Sequence, residues 1–103
     1  MEYKVHFSLT IHSVDGSKAV FFGKEMLLPF VPFLGLQLRE ELGPSEPVKS
    51  VTWSPLDQKF FCHIDSYEVE VSDGYNVDLA FLIIQAKANG WQGDGRIHTV
   101  GSY

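Results

Sequence analysis

The sequence has 103 residues, a net charge of −5 and 45% hydrophobic residues, which is ordinary for one globular domain and argues against disorder. The eight Lys and Arg residues are scattered singly, so there is no basic patch for nucleic acid or an anionic membrane surface. No apolar stretch reaches the roughly 20 residues of a membrane span, and the N-terminus does not resemble a signal peptide. The single cysteine, Cys62, excludes an intrachain disulfide and a CxxC motif. We therefore expect one domain over residues 1–103, in the cytoplasm, without a cofactor or a metal.

The N-terminal residues alternate between apolar and polar side chains, and the apolar set is Tyr3, Val5, Phe7, Leu9 and Ile11. A period of two predicts a half-buried strand over residues 3–13 of an antiparallel sheet. Asp15 and Gly16 then give a turn signal, and residues 19–22 resume the strand pattern, so we expect a hairpin. Gly23 indicates a bulge or a corner after the second strand.

The longest apolar stretch, residues 24–38, contains two prolines and a glycine. An interior proline removes a helix hydrogen bond and donates nothing to a sheet, so neither a regular helix nor an uninterrupted central strand fits. We expect a bent, extended path on which Phe30 and Phe33 turn inward. Beyond the bend, one face of a strand would carry Leu34, Leu36 and Leu38.

Two further strands are predicted on either side of a turn, after a loop at residues 43–47 that contains two prolines and a glycine. Residues 48–53 form the first strand and residues 60–71 the second. One face of the second strand carries Phe60, Cys62 and Ile64. The apolar positions then change parity near Asp65 and Ser66, which indicates a bulge, a bend or two separate strands.

A helix is predicted over residues 76–89. Asn76 is a good N-cap, Lys87 lies in the last turn, and Gly90 follows as a stop signal. The main apolar stripe has helical spacing and consists of Val77, Ala80, Phe81, Ile84 and Ala88. The run LAFLII would also suit a buried strand, but the signals at both ends favour the helix.

These elements predict an α+β fold, an antiparallel sheet of four to five strands with one C-terminal helix packed on one face. Residues 96–100 offer a short additional strand. Apart from its main stripe, the helix carries a second apolar set: Leu79, Leu82, Ile83 and Ala86. A helix that is apolar all round is buried on more than one side. Either residues 27–33 or another subunit would cover the second set, and we expect a homodimer.

The polar residues predict no catalytic centre. His6 and His12 share a strand face but lie roughly 20 Å apart at ~3.3 Å per residue, too far to bind one metal. Cys62 and His63 point to opposite faces, so they do not form a thiolate–imidazolium pair. His63 and Asp65 share a face, but an Asp that orients a His needs a nucleophile or a metal as third member. The sequence specifies neither.

Two functions remain compatible with the sequence. The first is a small acidic, non-catalytic interaction protein that binds itself or another protein through apolar surface. The second is a small-molecule binder or enzyme with a pocket between the helix and the sheet. That pocket would be lined by Phe30, Phe33, Trp53 and Phe60, with His63 and Asp65 as its polar groups.

Overall fold

The computed structural model describes residues 1–40, 46–68 and 79–99. In these ranges the elements are β1 (Tyr3–His12), β2 (Lys18–Leu28), β3 (Val48–Ser54), β4 (Lys59–Tyr67), α1 (Leu79–Ala88) and β5 (His98–Thr99). The strands form one five-stranded sheet in the order β3-β4-β1-β2-β5. The chain is therefore an α+β protein.

The sheet is mixed, so the prediction of a purely antiparallel sheet is wrong. β1 pairs antiparallel with β2 but parallel with β4 on its other side. β3 pairs antiparallel with β4, and β2 and β3 therefore run in the same direction. Two strands of one sheet that run in the same direction need a connection of about a dozen residues or more. Residues 29–47 supply this connection between β2 and β3. The alternation of side chains is the same in both kinds of pairing, and for this reason the sequence pattern did not distinguish them.

The predicted N-terminal hairpin is confirmed. Ser13 N donates to Lys18 O at 2.9 Å across the turn, and Gly16 has a φ of 75°, which glycine adopts without strain. The Asp15 carboxylate accepts hydrogen bonds from the hydroxyl and the backbone N–H of Ser17 and from the hydroxyl of Ser13. These hydrogen bonds lower the pKa of Asp15 to about 2. The turn is thus fixed by local hydrogen bonds around one carboxylate.

β2 is longer than predicted, because Gly23 is neither a bulge nor a corner. It pairs with Ser8 in a register that continues without interruption from Ala19 to Leu28. A Cβ at position 23 would lie 3.1 Å from the imidazole ring of His6. The glycine therefore makes room for a neighbouring side chain and does not bend the strand.

The proline-containing segment follows a bent path, but its side chains point differently from the prediction. Phe30 and Phe33 are 43% and 54% exposed, whereas Pro32 is buried. No strand forms at residues 34–38, where Leu36 is buried and Leu34 is 66% exposed. Gly35 N donates to Val48 O and Val48 N to Leu36 O, which fixes the end of the segment beside β3. Because β2 runs on to Leu28, the bend begins later than the apolar pattern suggested.

The buried apolar residues form one cluster with members from the sheet, the loops and the helix. They are Val5, Phe7, Leu9, Ile11, Val20, Phe22, Leu28, Leu36, Val48, Cys62, Ile64, Leu79, Leu82, Ala86 and Trp91. The indole N–H of Trp91 donates to the carboxylate of Glu40 at 2.9 Å, so this buried donor is satisfied. None of the described helices is long and apolar enough to cross a membrane.

The C-terminal end of the helix is confirmed, while its predicted cap Asn76 lies outside the described residues. Trp91 N donates to Ala86 O and Gly90 N to Lys87 O, and Gly90 has a φ of 88°. These two bonds around a left-handed glycine are a Schellman motif. At the other end Leu79 N donates to Glu68 Oε2 at 2.9 Å, so a carboxylate from the end of β4 lies at the first turn.

The helix buries the opposite side from the one predicted. Leu79, Leu82 and Ala86 are at most 8% exposed, whereas Phe81 and Ile84 of the predicted core stripe are 51% and 68% exposed. Since nearly every position of the helix is apolar, its periodicity carries little information about which side faces the core. That choice depends on the neighbouring elements.

The two sides of the central sheet differ in chemistry. On β1 the residues Val5, Phe7, Leu9 and Ile11 are at most 8% exposed, and we call this side the buried face. The alternate residues His6, Ser8, Thr10 and His12 lie on the other side, which we call the open face. In parallel pairing, residues opposite one another project to the same side. The open face therefore also carries Phe61, His63, Asp65 and Tyr67 of β4.

Candidate functional site: a polar network on the open face

The parallel pairing of β1 with β4 builds the most connected polar cluster among the described residues. The register places Ser8 opposite His63, and Thr10 opposite Asp65. Both strands are interior strands of the sheet, so their backbones are paired on either side. The side chains on them are consequently held on a rigid frame.

Ser8, His63 and Asp65 form a continuous chain of hydrogen bonds. Ser8 Oγ lies 2.8 Å from His63 Nδ1, and His63 Nε2 lies 2.9 Å from Asp65 Oδ1. An ionised carboxylate only accepts hydrogen bonds, so Nε2 carries the proton. In the neutral imidazole Nδ1 is then an acceptor for the Ser8 hydroxyl, whose second, more distant acceptor is Cys62 O at 3.4 Å. The predicted proximity of His63 and Asp65 is present, and the structure adds Ser8 as a third member.

Asp65 is the centre of the network. Its Oδ1 also accepts from His12 Nε2 at 2.9 Å, and Lys49 Nζ lies 3.2 Å from its Oδ2. Burial raises the pKa of this carboxyl, but the hydrogen bonds from His12, His63 and Lys49 outweigh that effect and lower the pKa from 3.8 to about 2. The side chain of Asp65 is only 16% exposed. It is therefore ionised at neutral pH and holds three neighbours in place.

Tyr67 closes one end of this network. Lys49 Nζ donates to its hydroxyl at 3.1 Å, and the rings of His12 and Tyr67 stack with centroids 4.9 Å apart. The bond to Tyr67 and then the one to Asp65 raise the pKa of Lys49. The ammonium group thus stays charged beside the carboxylate.

A second, more exposed group lies beside the N-terminal half of β1. Glu25 Oε1 accepts from Lys59 Nζ at 3.0 Å and from His6 Nδ1 at 2.9 Å. The hydrogen bond from Lys59, followed by that from His6, lowers the pKa of Glu25. Its side chain is 59% exposed, so water screens these charges. We regard this group as a solvated ion-pair cluster.

The six predicted ligand-binding residues do not lie in one pocket. Phe30 and Phe33 contact each other, with ring centroids 6.1 Å apart, in the exposed segment after β2. Trp53 and Phe60 form another ring pair at 4.8 Å. Phe60 pairs with Val5 and so projects to the buried face, opposite to His63. His63 with Asp65, and the two aromatic pairs, are three separate features.

The cavity whose lining includes residues of both the helix and the sheet is small. It has a volume of about 70 Å³, and its apolar walls include Leu9, Ile11, Leu82 and Trp91. Sites for drug-sized ligands usually occupy ~300–1000 Å³. Trp53 and Phe60 instead line an open cleft of about 590 Å³ together with Tyr3. An aromatic-walled cleft therefore exists, but away from the helix and from His63.

The four predicted interface residues of the helix do not form a surface. Leu79, Leu82 and Ala86 are buried in the core cluster, and Ile83 is partly buried against it. Their apolar character is thus used inside the molecule.

Cys62 lies in the core. It is 1% exposed, and burial raises the pKa of its thiol, which disfavours the reactive thiolate. Within residues 1–40, 46–68 and 79–99, no three His, Cys, Asp or Glu side chains are arranged to hold a metal ion.

The network also contains four residues that were not predicted from the sequence: Ser8, His12, Lys49 and Tyr67. The alternation of β1 already placed Ser8 and His12 on one polar face, and that was the available signal. The sequence did not show which strand lies beside that face, since the partner strand is more than 50 residues away along the chain.

Comparison of the chain with models of known protein families, with curated proteins and with solved structures gives no match.

Proposed function

We propose that this protein is a non-catalytic interaction protein that acts as a homodimer through an exposed apolar segment, residues 27–34. One observation carries the proposal. Five large apolar side chains in these eight positions are between 43% and 66% exposed: Leu27, Phe30, Val31, Phe33 and Leu34. Several exposed large apolar side chains along one segment commonly mark an interaction site.

The charge distribution favours a second copy of the chain as the partner. No charged residue lies between Glu25 and Arg39, although the whole chain has a net charge of −5. Two copies that approach through this segment therefore avoid like-charge contacts at the interface. Repulsion between the remaining charges is screened beyond ~8–10 Å at physiological salt. A two-fold axis would place the same segment on both sides of the interface.

The helix uses part of its apolar surface internally, since Leu79, Leu82 and Ala86 are buried, while Phe81 and Ile84 are 51% and 68% exposed. We infer that α1 packs against the buried face of the sheet. In support, Leu79 and Leu82 belong to the same buried cluster as Val5 and Phe7. Residues 27–34 carry five exposed large apolar side chains and α1 carries two, so this segment offers the larger apolar set to a partner. The buried, reduced Cys62 suits the cytoplasmic location that we propose for the protein.

The mass in solution tests the dimer. We expect light scattering at micromolar concentration to give twice 11.6 kDa for the wild-type protein. Phe33→Asp should give 11.6 kDa, because it places a desolvated carboxylate in the interface. Leu56→Asp is the matched control, since Leu56 is 92% exposed in the turn between β3 and β4 and should leave the dimer intact.

A wild-type mass of 11.6 kDa that stays constant over a tenfold rise in concentration would rule out the dimer. A dimer that survives Phe33→Asp would place the interface elsewhere. An interface with a different protein would appear as a monomer by itself and as a stable complex with that protein.

A second candidate function is small-molecule binding, favoured by the aromatic cleft formed by Tyr3, Trp53 and Phe60. Stacking on Trp53 and Phe60 would suit a planar apolar compound. Native mass spectrometry of the purified protein checks this candidate. A bound compound that is lost in Trp53→Ala would support it, and protein without any added mass would oppose it.

A further inference from the structure

We propose that Ser8 is a nucleophile that accepts an acyl group from activated carboxylic esters or thioesters, with His63 as its general base and Asp65 as the positioning residue. The site is on the open face and does not depend on the dimer surface. Its three members are joined by hydrogen bonds of 2.8 Å and 2.9 Å.

The direction of these hydrogen bonds suits proton removal from Ser8. Asp65 accepts the Nε2 proton of His63 and thereby leaves Nδ1 with a lone pair directed at the Ser8 hydroxyl. A nucleophile within hydrogen-bond reach of a base that a third group orients is the usual arrangement for serine acylation. The two ring nitrogens have exchanged the positions they take in chymotrypsin-like enzymes, but either nitrogen can serve as the base.

Asp65 is itself held in place, which distinguishes this series of hydrogen bonds from an accidental surface contact. His12 and Lys49 hold the carboxylate from two other directions, at 2.9 Å and 3.2 Å. The carboxylate therefore cannot swing away from His63 without losing both of these bonds. A base whose orienting group is restrained spends more of its time in the reactive geometry.

An acyl donor can reach Ser8 from the open face. Ser8 is partly exposed, and the position opposite it on β2 is Gly23, which has no side chain of its own. The His6 ring lies over Gly23, so an imidazole flanks Ser8 on that side and His63 on the other. An approaching acyl group would therefore meet the hydroxyl between two histidines.

The proposed step is a simple acyl transfer. Ser8 Oγ forms a bond to the acyl carbon while His63 Nδ1 takes the hydroxyl proton. The bond between the acyl carbon and the leaving oxygen or sulfur breaks, and the leaving group departs with that electron pair as a phenolate or thiolate. His63 then releases the proton to water, which regenerates the neutral base and leaves an ester on Ser8.

The backbone around Ser8 limits this chemistry to activated acyl donors. β1 is paired on both sides, so the N–H groups near Ser8 are used in the sheet and are not available to an oxyanion. The loss of a single oxyanion-hole donor costs about 10²–10³-fold in rate in a well-studied protease. We therefore infer a site that becomes acylated once, with slow hydrolysis of the ester.

The test is acetylation of the full chain by 4-nitrophenyl acetate, followed by peptide mapping. We expect one acetyl group on Ser8, added about 10²-fold faster than on other serines, the lower range of general-base assistance. Ser50 is the internal control, because it pairs with His63 from β3 and is exposed to the same solution. Ser8→Ala should abolish the modification, and Ser50→Ala should leave it unchanged.

The roles of His63 and Asp65 are tested by substituting each residue. His63→Gln should lower the rate of Ser8 acetylation to that of Ser50, because the amide cannot take the hydroxyl proton. Asp65→Asn should displace the pH profile of the Ser8 acetylation rate, which a merely structural loss would not do. Equal labelling of Ser8 and Ser50 in the folded wild-type protein would overturn the proposal, and so would a rate at Ser8 that is unchanged in His63→Gln.

Discussion

The two faces of the sheet are built on the same strands but are held by different forces. On the buried face Val5 and Phe7 are fully buried and contact other apolar residues without directional bonds. On the open face Ser8, His63 and Asp65 are joined by hydrogen bonds between neighbouring strands. The buried face therefore carries the apolar core, and the open face carries the polar network that the pairing of β1 with β4 brings together.

The two faces of the sheet also differ in how much they contribute to the free energy of unfolding. Burial of an apolar side chain contributes roughly 1.5–3 kcal/mol, and its removal leaves a cavity with an additional cost. A hydrogen bond contributes about 1 kcal/mol net, since water competes for both partners in the unfolded chain. We thus expect stability to depend mainly on the buried face. Chemical reactivity should depend on the open face.

The largest expected effect is at the centre of the buried face. Phe7→Ala should lower the free energy of unfolding by about 3–5 kcal/mol, a large part of the about 5–15 kcal/mol of a typical domain. Phe21→Ala is the matched control, because Phe21 is 52% exposed on β2, and it should cost about 1 kcal/mol or less. Urea unfolding followed by circular dichroism measures both. Equal costs for the two phenylalanines would mean that the faces do not differ as described.

The second largest effect on stability is expected at Asp65, the centre of the network on the open face. Asp65→Asn should lower stability at neutral pH by about 1–3 kcal/mol, since the bonds from His12, His63 and Lys49 lose their charged acceptor. The pKa of Asp65 is about 2 in the folded protein and 3.8 ordinarily, so ionised Asp65 stabilises the fold above pH 4. That contribution is lost as the pH falls from 4 to 2. The difference between wild type and variant should therefore shrink over this range in urea unfolding.

Asp94→Asn is the control for this titration. Asp94 is exposed and accepts a hydrogen bond from the backbone of Arg96. Its replacement should leave the free energy of unfolding close to that of the wild type. A difference between wild type and Asp65→Asn that stays constant from pH 7 to pH 2 would contradict the assignment of Asp65 as an ionised hub.

The smallest effect is expected at the exposed ion pairs near β1. Glu25→Gln removes the contacts to His6 and Lys59, but Glu25 is 59% exposed and solvated. We expect a change within about 0.5 kcal/mol, and a smaller one at high salt. Unfolding midpoints at low and high salt measure it. A loss comparable to that of Asp65→Asn would show that exposure does not separate the two polar groups.

The local elements could be predicted from the sequence. The alternation after Tyr3, the Asp15-Gly16 turn and the Gly90 helix stop each depend on residues close together in the chain, and each is present in the structure. The pairing of His63 with Asp65 was equally local, since two residues apart on a strand share a face. Properties of this kind follow from backbone geometry and side-chain spacing.

The contacts between elements that are distant along the chain could not be predicted from the sequence. The parallel neighbour of β1 brought Ser8 to His63, and no local pattern encodes the direction of a strand that is distant along the chain. In the same way, an almost wholly apolar helix offers the core either side, and the surrounding elements selected Leu82 over Ile84. Phe33 points outward because the extension of β2 shifted the bend. Each of these outcomes depends on long-range packing, in which many apolar residues are interchangeable until the neighbouring elements are in place.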